Sequence, residues 1–494
     1  MSEIPAHSQV LVIGGGPAGS TAAHLLAKAG FSVTLLERAR FPRYHIGESL
    51  QPSCLAVLDR LGLRQALLDH GFTKKYGVYH EWGHEKWAVE FAAIPNQEIF
   101  SFQVIRSEFD QLLIEAAQQA GVAVHQDIEV VGLDWDGDRP VAARWRSSAA
   151  SSGEKAITFD RLVDASGRNG LISTRYNKDR RFNEGFQNVA IWAYWKGTQP
   201  LDEGPPGATA AATVGSGWIW GIPLHNGTLS VGLVTHRDEF KRRREEANGL
   251  LDLYTKAVEE SPLASRLTAN AQRIGNDVHI EQDYSYAAKS FAGPGYFVAG
   301  DAACFIDPLL SSGVHLALYS ALLAAASTAS VLRGEVPEAE ATDFFERCYR
   351  QAYLRILVLV ASFYQLYDGK DTYFWKAQQL ANEDFSGADK NAAFVSIIAG
   401  REDILDAADP TRELVHQIGS LQRQMFGLAA DKNRMETIMA MEPGDIAQLM
   451  RKGEELNRFT TGGFSMSEES AVRDLYVAPA PELGLKRAAA SVPR

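Results

Sequence analysis

The chain has 494 residues, 46% hydrophobic and 22% charged, with a formal net charge of -12; this is an ordinary globular composition with length for about three average domains and a large core. The acidic balance argues against nucleic acid as a partner, because phosphate binding draws on a basic surface. Cys54, Cys304 and Cys348 are the three cysteines and form no CxxC, which suggests neither a disulfide scaffold nor a thiolate metal site and fits a reducing cytoplasm.

The N-terminus carries no basic-then-apolar leader, so no signal peptide is expected. An apolar strand from Val10 to Ile13 enters a turn with Gly14, Gly16 and Gly19 at GxGxxG spacing. Pro17 and Ala18 open an alanine-rich helix, and a second apolar strand ends at Glu37. Such a βαβ unit points to dinucleotide binding. Gly14 permits the tight turn, Gly16 lets the backbone approach a pyrophosphate, Gly19 lets helix and strand pack closely, and the helix N-terminus offers free N–H groups. Glu37 stands at the distance at which these folds place an acid on ribose hydroxyls. A tight turn with no ligand is the alternative.

Gln51 to His70 reads as one or two short helices, with Leu55, Leu58, Leu61 and Leu67 at helical spacing. Tyr76 to Trp82 and Trp87 to Ile94 read as strands, Gln103 to Ala120 as a helix, and Val122 to Asp164 as a meander grafted on the parallel sheet. Arg161 to Gly167 is another strand ending in a small-residue turn, and Asn188 to Thr235 predicts a second, antiparallel sheet. Glu239 to Ser261 is helical, and its charge run Lys241 to Glu246 reads as a solvated face rather than a docking patch.

Tyr296 to Ala299 is the last apolar strand. Val314 to Leu332 is nearly long enough to cross a bilayer, but its alanine and serine content predicts a buried helix and no membrane span. Beyond Gly334 the pattern is helical through Met450, and the final roughly thirty residues, with Gly462 and Gly463, read as a loose tail. The expected organisation is an α/β core over 1–335, with a substrate-side sheet mainly at 72–102 and 188–285, then a helical C-terminal region over 336–494.

His80-Glu81-Trp82-Gly83-His84 matches HExxH, the zinc-protease pattern, which requires a helix. The surrounding β-branched and aromatic residues predict a strand, where positions four apart are about 13 Å distant. No metal is expected.

Gly300-Asp301 ends a strand, and Leu309-Leu310-Ser311-Ser312-Gly313-Val314 opens the long helix. An acid at the carboxyl end of a parallel strand reaches a ribitol or ribose hydroxyl, and free N–H groups at a helix start can hold an anion. With the glycine turn upstream and Asp164-Ala165-Ser166-Gly167 between, the pattern resembles the FAD motifs of the aromatic-hydroxylase flavoproteins, which implies FAD rather than NAD.

Phe41-Pro42-Arg43-Tyr44-His45-Ile46-Gly47-Glu48-Ser49-Leu50, Trp218-Ile219-Trp220-Gly221-Ile222-Pro223 and the Asp307 to Gly313 loop narrow the resemblance to the flavin-dependent halogenases. Periodicity alone puts Trp218, Trp220 and Ile222 on one face of a strand, as a core aromatic stripe also would. The resemblance implies that this stripe, with Pro223, lies beside the flavin and keeps the substrate away, so that a flavin hydroperoxide meets chloride or bromide. It also implies that Gly14, Gly16, Pro17, Ala18, Gly19, Glu37, Arg43, Ser49, Arg106 and Asp301 bind FAD, with halide near Ser312 and the Gly313 amide. Gly71-Phe72-Thr73-Lys74-Lys75-Tyr76-Gly77 matches the family's GFxxKxG neighbourhood and gives Lys75, with Lys74 as its rival, the relay of hypohalous acid. A cationic donor can hold that acid by a hydrogen bond or as an N-halo adduct, and burial lowers its pKa toward the nucleophilic range.

Leu310 stands where tryptophan halogenases, which this loop otherwise resembles, place a glutamate. With the aromatic patches Ser362-Phe363-Tyr364 and Tyr373-Phe374-Trp375, the chain looks more like the branch that acts on tyrosyl or related phenolic groups, often tethered to a peptidyl carrier protein. There is no second dinucleotide motif for NAD(P)H, so a separate reductase is expected to supply FADH2, with O2 as oxidant. An FAD-dependent monooxygenase and a catalytically silent flavoprotein that binds a carrier protein are the alternatives.

Overall fold

The opening unit forms as expected, with β1 (His7–Ile13), α1 (Pro17–Lys28) and β2 (Val33–Leu36), in a computed structural model that describes residues 3–91, 99–147, 153–365, 468, 471–478 and 482–488. Val10, Leu11 and Val12 are fully enclosed, each burial contributing about 1.5–3 kcal/mol. Gly14 has φ +102° and its position allows no Cβ, which would run into the carbonyl of Ala165; a Cβ on Gly19 would strike the carbonyl of Gly14. The two glycines therefore set how closely α1 approaches the sheet.

Next come α2 (Ser53–Arg60), α3 (Arg64–His70), β3 (Thr73–Lys75), β4 (Gly77–Trp82), β5 (Glu85–Glu90), β6 (Ser101–Gln103) and α4 (Arg106–Gln119). Then follow β7 (Ala123–His125), β8 (Ile128–Asp136), β9 (Arg139–Ser147), β10 (Lys155–Asp164), β11 (Arg180–Lys196), β12 (Thr209–Val214), β13 (Gly217–Pro223) and β14 (Thr228–His236). The chain continues through α5 (Arg237–Glu246), α6 (Leu250–Glu260), α7 (Pro262–Leu267), β15 (Gln272–Arg273), β16 (His279–Ala288), β17 (Ala292–Gly293), β18 (Tyr296–Val298) and β19 (Cys304–Phe305) to α8 (Gly313–Leu332) and α9 (Glu338–Gln365).

One sheet runs β17-β18-β10-β1-β2-β7, with β18, β10, β1, β2 and β7 parallel and the β8–β9 meander attached to β10. The second runs β19-β16-β11-β14-β13-β12-β4-β5. One of its faces packs toward the parallel sheet; the other buries Ile219, Val231 and Leu233 with Leu253 and Tyr254 of α6. The charge run on α5 is spent on neighbours, Arg242 and Arg243 both pairing with Glu239.

Several expectations are corrected. The second sheet is not wholly antiparallel: β12 pairs with β4 in parallel, because β4 comes from a segment far upstream and not from an adjacent hairpin. Its later stretch begins before 188 and ends after 285, at Arg180 and Phe305, and of the expected 72–102 only β4 and β5 belong to it, since β3 and β6 pair separately with each other. The helix expected from Gln103 starts at Arg106; Gln103 pairs with Thr73 and donates to Gly207 and Thr209. The tail is not uniformly loose. β20 (Leu475–Ala478) and β21 (Gly484–Arg487) form a hairpin on α8, where the Leu485 N–H donates to Ser330 Oγ at 2.8 Å and Arg333 donates to the Leu483 carbonyl at 2.7 Å. Leu475, Val477 and Leu485 are buried there, an apolar set too short to be read against the surrounding prolines.

The α8 helix is long and apolar enough to cross a membrane, but every residue from Val314 to Ser330 is buried inside the protein. The Tyr373-Phe374-Trp375 patch, the helical reading from 366 to Met450 and the strand end at Ile94 lie outside the described residues.

Candidate active site

The carboxyl ends of β1, β10 and β18 and the N-termini of α1 and α8 open on one cavity of about 660 Å³, a size in the ~300–1,000 Å³ range of ligand pockets. Gly14, Gly16, Pro17, Ala18, Glu37, Arg43, Ser49, Arg106, Asp301, Ser312 and Gly313 all line it; Gly19 stands behind as a packing residue. α1 starts at Gly16 with no side-chain cap, leaving its first N–H groups free toward the cavity. A Cβ on Gly16 would meet only the Arg43 guanidinium, at 3.4 Å, so a cation stands over the turn.

Glu37 is held by two backbone donors, Gly15 N–H to Oε2 at 2.6 Å and Ala39 N–H to Oε1 at 2.8 Å. Arg106 is buried and clamped by Asp110 at 2.9 and 3.0 Å, while it donates to the Ile46 carbonyl at 2.8 Å. Burial raises the pKa of Asp301, against the pull of Arg168, Arg106 and Arg180. Asp164 is enclosed and does not line the cavity; it accepts from the Ser166 and Ile172 N–H groups and so shapes the turn that presents Ser166 and Gly167.

α8 likewise begins without a side-chain cap, and a Cβ on Gly313 would meet nothing within 4 Å. Free N–H groups at the positive end of a helix thus face open space, an arrangement suited to an anion. Trp218, Trp220 and Ile222 project from β13 into the same cavity, whereas Pro223, one residue out of phase, faces away. Trp218 Nε1 donates to Tyr364 OH at 2.7 Å, and Tyr364 OH donates to Asp307 at 2.9 Å, which ties the stripe to the loop before α8.

Lys75 lies outside the cavity wall. Its Nζ donates to Ser49 Oγ at 2.8 Å and to the Leu50 carbonyl at 3.3 Å, and stands 5.5 Å from the centre of the Phe91 ring. Ser49 in turn meets Thr209 Oγ1 at 3.0 Å, and both hydroxyls line the cavity. A buried ammonium thus sits one serine away from the cavity. Burial pushes the Lys75 pKa down to about 7. Lys74, on the opposite face of β3, holds its ammonium 4.5 Å over the Phe100 ring instead.

His80 and His84 are on a strand and a turn, as expected; His80 is buried, stacks on Trp87 at 5.1 Å, and is pushed down to about 3 by burial and by Lys75. Glu48 is a site residue for which the sequence offered no role. It is buried on the cavity wall and accepts from Tyr194 OH at 2.7 Å through Oε1, with the Ser230 hydroxyl also beside its carboxyl group. Burial pushes its pKa up to about 7, against the hydrogen bonds from Tyr194 and Ser230, so the carboxyl group can hold a proton near neutral pH. The only hint in the sequence was an acid inside a motif otherwise read for its glycine and serine.

The family model for tryptophan halogenase matches residues 9–99 and 93–430. The chain belongs to the flavin-dependent halogenases. This halogenase is 43% identical to the tryptophan 2-halogenase of Chondromyces crocatus, over 98% of its own length and 95% of the relative's. It is 42% identical to sulochrin halogenase gedL of Aspergillus terreus, over 72% and 69% of the two chains. Among solved structures it is similar to the myxobacterial chondrochloren halogenase CndH, with a TM-score of 0.71 and 35% identity over 81% of this chain and 91% of that one. The family implies FAD and a halide, and the site fits both: two uncapped helix starts, Arg43 over the glycine turn and open space above Gly313.

Proposed function

We propose that this halogenase transfers chloride or bromide to an electron-rich phenolic ring, tyrosyl-like and carried on a peptidyl carrier protein thioester, through Lys75. The observation that carries this reading is the placement of Lys75, buried behind Ser49 and apart from the cavity that fits FAD. FAD, delivered reduced by a separate reductase and meeting O2, supplies the oxidising power that turns halide into hypohalous acid. Gly14, Gly16, Pro17, Ala18, Glu37, Arg43, Arg106 and Asp301, which line the cavity, would hold the dinucleotide. Ser312 and the Gly313 N–H hold the halide, and Trp218, Trp220 and Ile222 close the cavity to the arene.

Near neutral pH a fraction of Lys75 is the free amine. That amine takes the halogen from hypohalous acid, releasing water, and passes it to the ring; the ring loses its proton and the amine is restored. Direct transfer needs reacting atoms about 3–3.5 Å apart, so a lysine behind the wall separates this enzyme from a monooxygenase, which must bring the ring to the flavin. The reading places the enzyme in the cytoplasm with its reductase.

A second acceptor, free tryptophan, is favoured by the name of the 43% identical relative; against it stands Leu310, which offers no carboxylate to an indole. Intact-mass analysis decides between them. Tyrosyl-loaded carrier protein, free tyrosine and free tryptophan are incubated with enzyme, flavin reductase, O2 and each halide. A gain of one halogen on the loaded carrier alone supports the proposal, and halogenated tryptophan with an unchanged carrier overturns it.

A further inference from the structure

Local spacing led to the expectation of no metal site, yet the fold assembles a ligand set from three distant segments. His70 is the last residue of α3, Glu108 lies in the first turn of α4, and His225 stands in the turn between β13 and β14. Glu108 Oε2 is 2.7 Å from His70 Nε2 and 3.2 Å from His225 Nε2, and all three ligand atoms fall within 4.8 Å of one another. We propose that His70, Glu108 and His225 bind a zinc-class divalent cation, with solvent completing the coordination.

Charge favours this reading. Among the described residues no lysine or arginine pairs with Glu108, whose carboxylate faces only the two imidazoles. A carboxylate with two imidazoles is a ligand set that suits zinc. The rings are also held in place: Phe72 packs on His70 at 4.3 Å and edge-on to His225 at 5.1 Å. His225 Nδ1 is enclosed and has no hydrogen-bond partner among the described residues, while Nε2, 3.2 Å from Glu108 Oε2, is the nitrogen placed to ligate.

The site's position suggests its use. His70 is followed within the same segment by Lys75, Glu108 shares a helical turn with Arg106, and His225 follows the stripe that ends at Pro223. An ion here fastens to one another the three segments that present the relay lysine, the buried arginine and the tryptophans. The inference does not depend on which acceptor the enzyme halogenates.

Full-length protein freed of metal with a chelator is titrated with Co2+ and, separately, with Zn2+. The expected result is one ion per chain, visible bands of four-coordinate Co2+, and a Tm raised by Zn2+. Glu108→Gln and His225→Gln should each weaken binding by more than the ~10–100-fold that loss of an outer partner of a metal ligand costs. Glu108 is a partly exposed surface residue, so its variant keeps the test readable if His225→Gln fails to fold. An unchanged ion stoichiometry and affinity in Glu108→Gln, or no ion taken up by the wild type at micromolar metal, overturns the proposal.

Discussion

The two halves of the site are built differently. The wall that fits FAD rests on backbone, with glycines at Gly14 and Gly16, uncapped helix starts at Gly16 and Ser312 and strand ends at Ile13 and Ala299, to which the side chains of Glu37, Arg43, Arg106 and Asp301 are added. The Lys75 pocket is made of side chains from scattered segments: Ser49 and Leu50 before α2, Cys54 within it, His80 on β4, Phe91 after β5 and, one hydroxyl further out, Thr209 on β12. Backbone N–H groups bind an anion without changing protonation. The enclosed amine depends on the dielectric around it, and that dielectric is set by packing.

The sharpest way to separate the two is Lys75→Ala. Halogenated product should fall roughly 10²–10⁴-fold, the range of a lost proton-transfer or relay group, while oxidation of reduced flavin by O2 stays near the wild-type rate; product by mass spectrometry and flavin absorbance report the two separately. Equal loss of both signals would mean that Lys75 supports the flavin wall instead.

Gly14→Val should do the reverse. A β-branched residue at φ +102° that also meets the Ala165 carbonyl costs about 1–3 kcal/mol of strain or more, read as a lower Tm and as FAD lost on gel filtration. Ser49→Ala leaves the Lys75 ammonium without its nearest acceptor, and an unmet buried hydrogen bond costs about 1–3 kcal/mol. Product should fall about tenfold or more, with FAD affinity changed far less.

The smallest effects are in pH dependence, and they have opposite signs. Lys75 is depressed in the folded protein to about 7, so its contribution is present above the ordinary lysine range near ~10.4 and is lost as pH falls toward 7. Glu48 is raised to about 7, so its contribution is present below the ordinary glutamate range and is lost as pH rises through 7. Urea denaturation across pH should therefore show Lys75→Met lacking the wild-type gain in stability above pH 7. Glu48→Gln should lack the wild-type loss between the ordinary carboxylate range and 7. Parallel curves for wild type and both variants would refute the buried, shifted states of these groups.

The glycine turn, the strand before it, the acid at Glu37, the buried Ala-rich helix and the shared face of Trp218, Trp220 and Ile222 were legible in the chain because each rests on periodicity or on residues a few positions apart. Only the register of the family motif favours Lys75 over Lys74 in the sequence; in the structure the two face opposite ways along β3, Lys75 toward Ser49 and Lys74 over Phe100. Pro223 was read too generously, one residue off the phase that faces the cavity. The hairpin at 475–487 escaped because four-residue strands carry little pattern of their own and gain their burial from α8.

What the sequence by itself determined is the dinucleotide-type βαβ unit, the order of the flavin motifs and the residues that carry the family resemblance, all set by short-range backbone geometry. Only the tertiary structure decided that Lys75 stands behind Ser49 and Thr209, that Glu48 is enclosed on the cavity wall, and that His70, Glu108 and His225 meet. Burial and proximity between distant segments arise when two sheets close on one another, and no spacing along the chain records that closure.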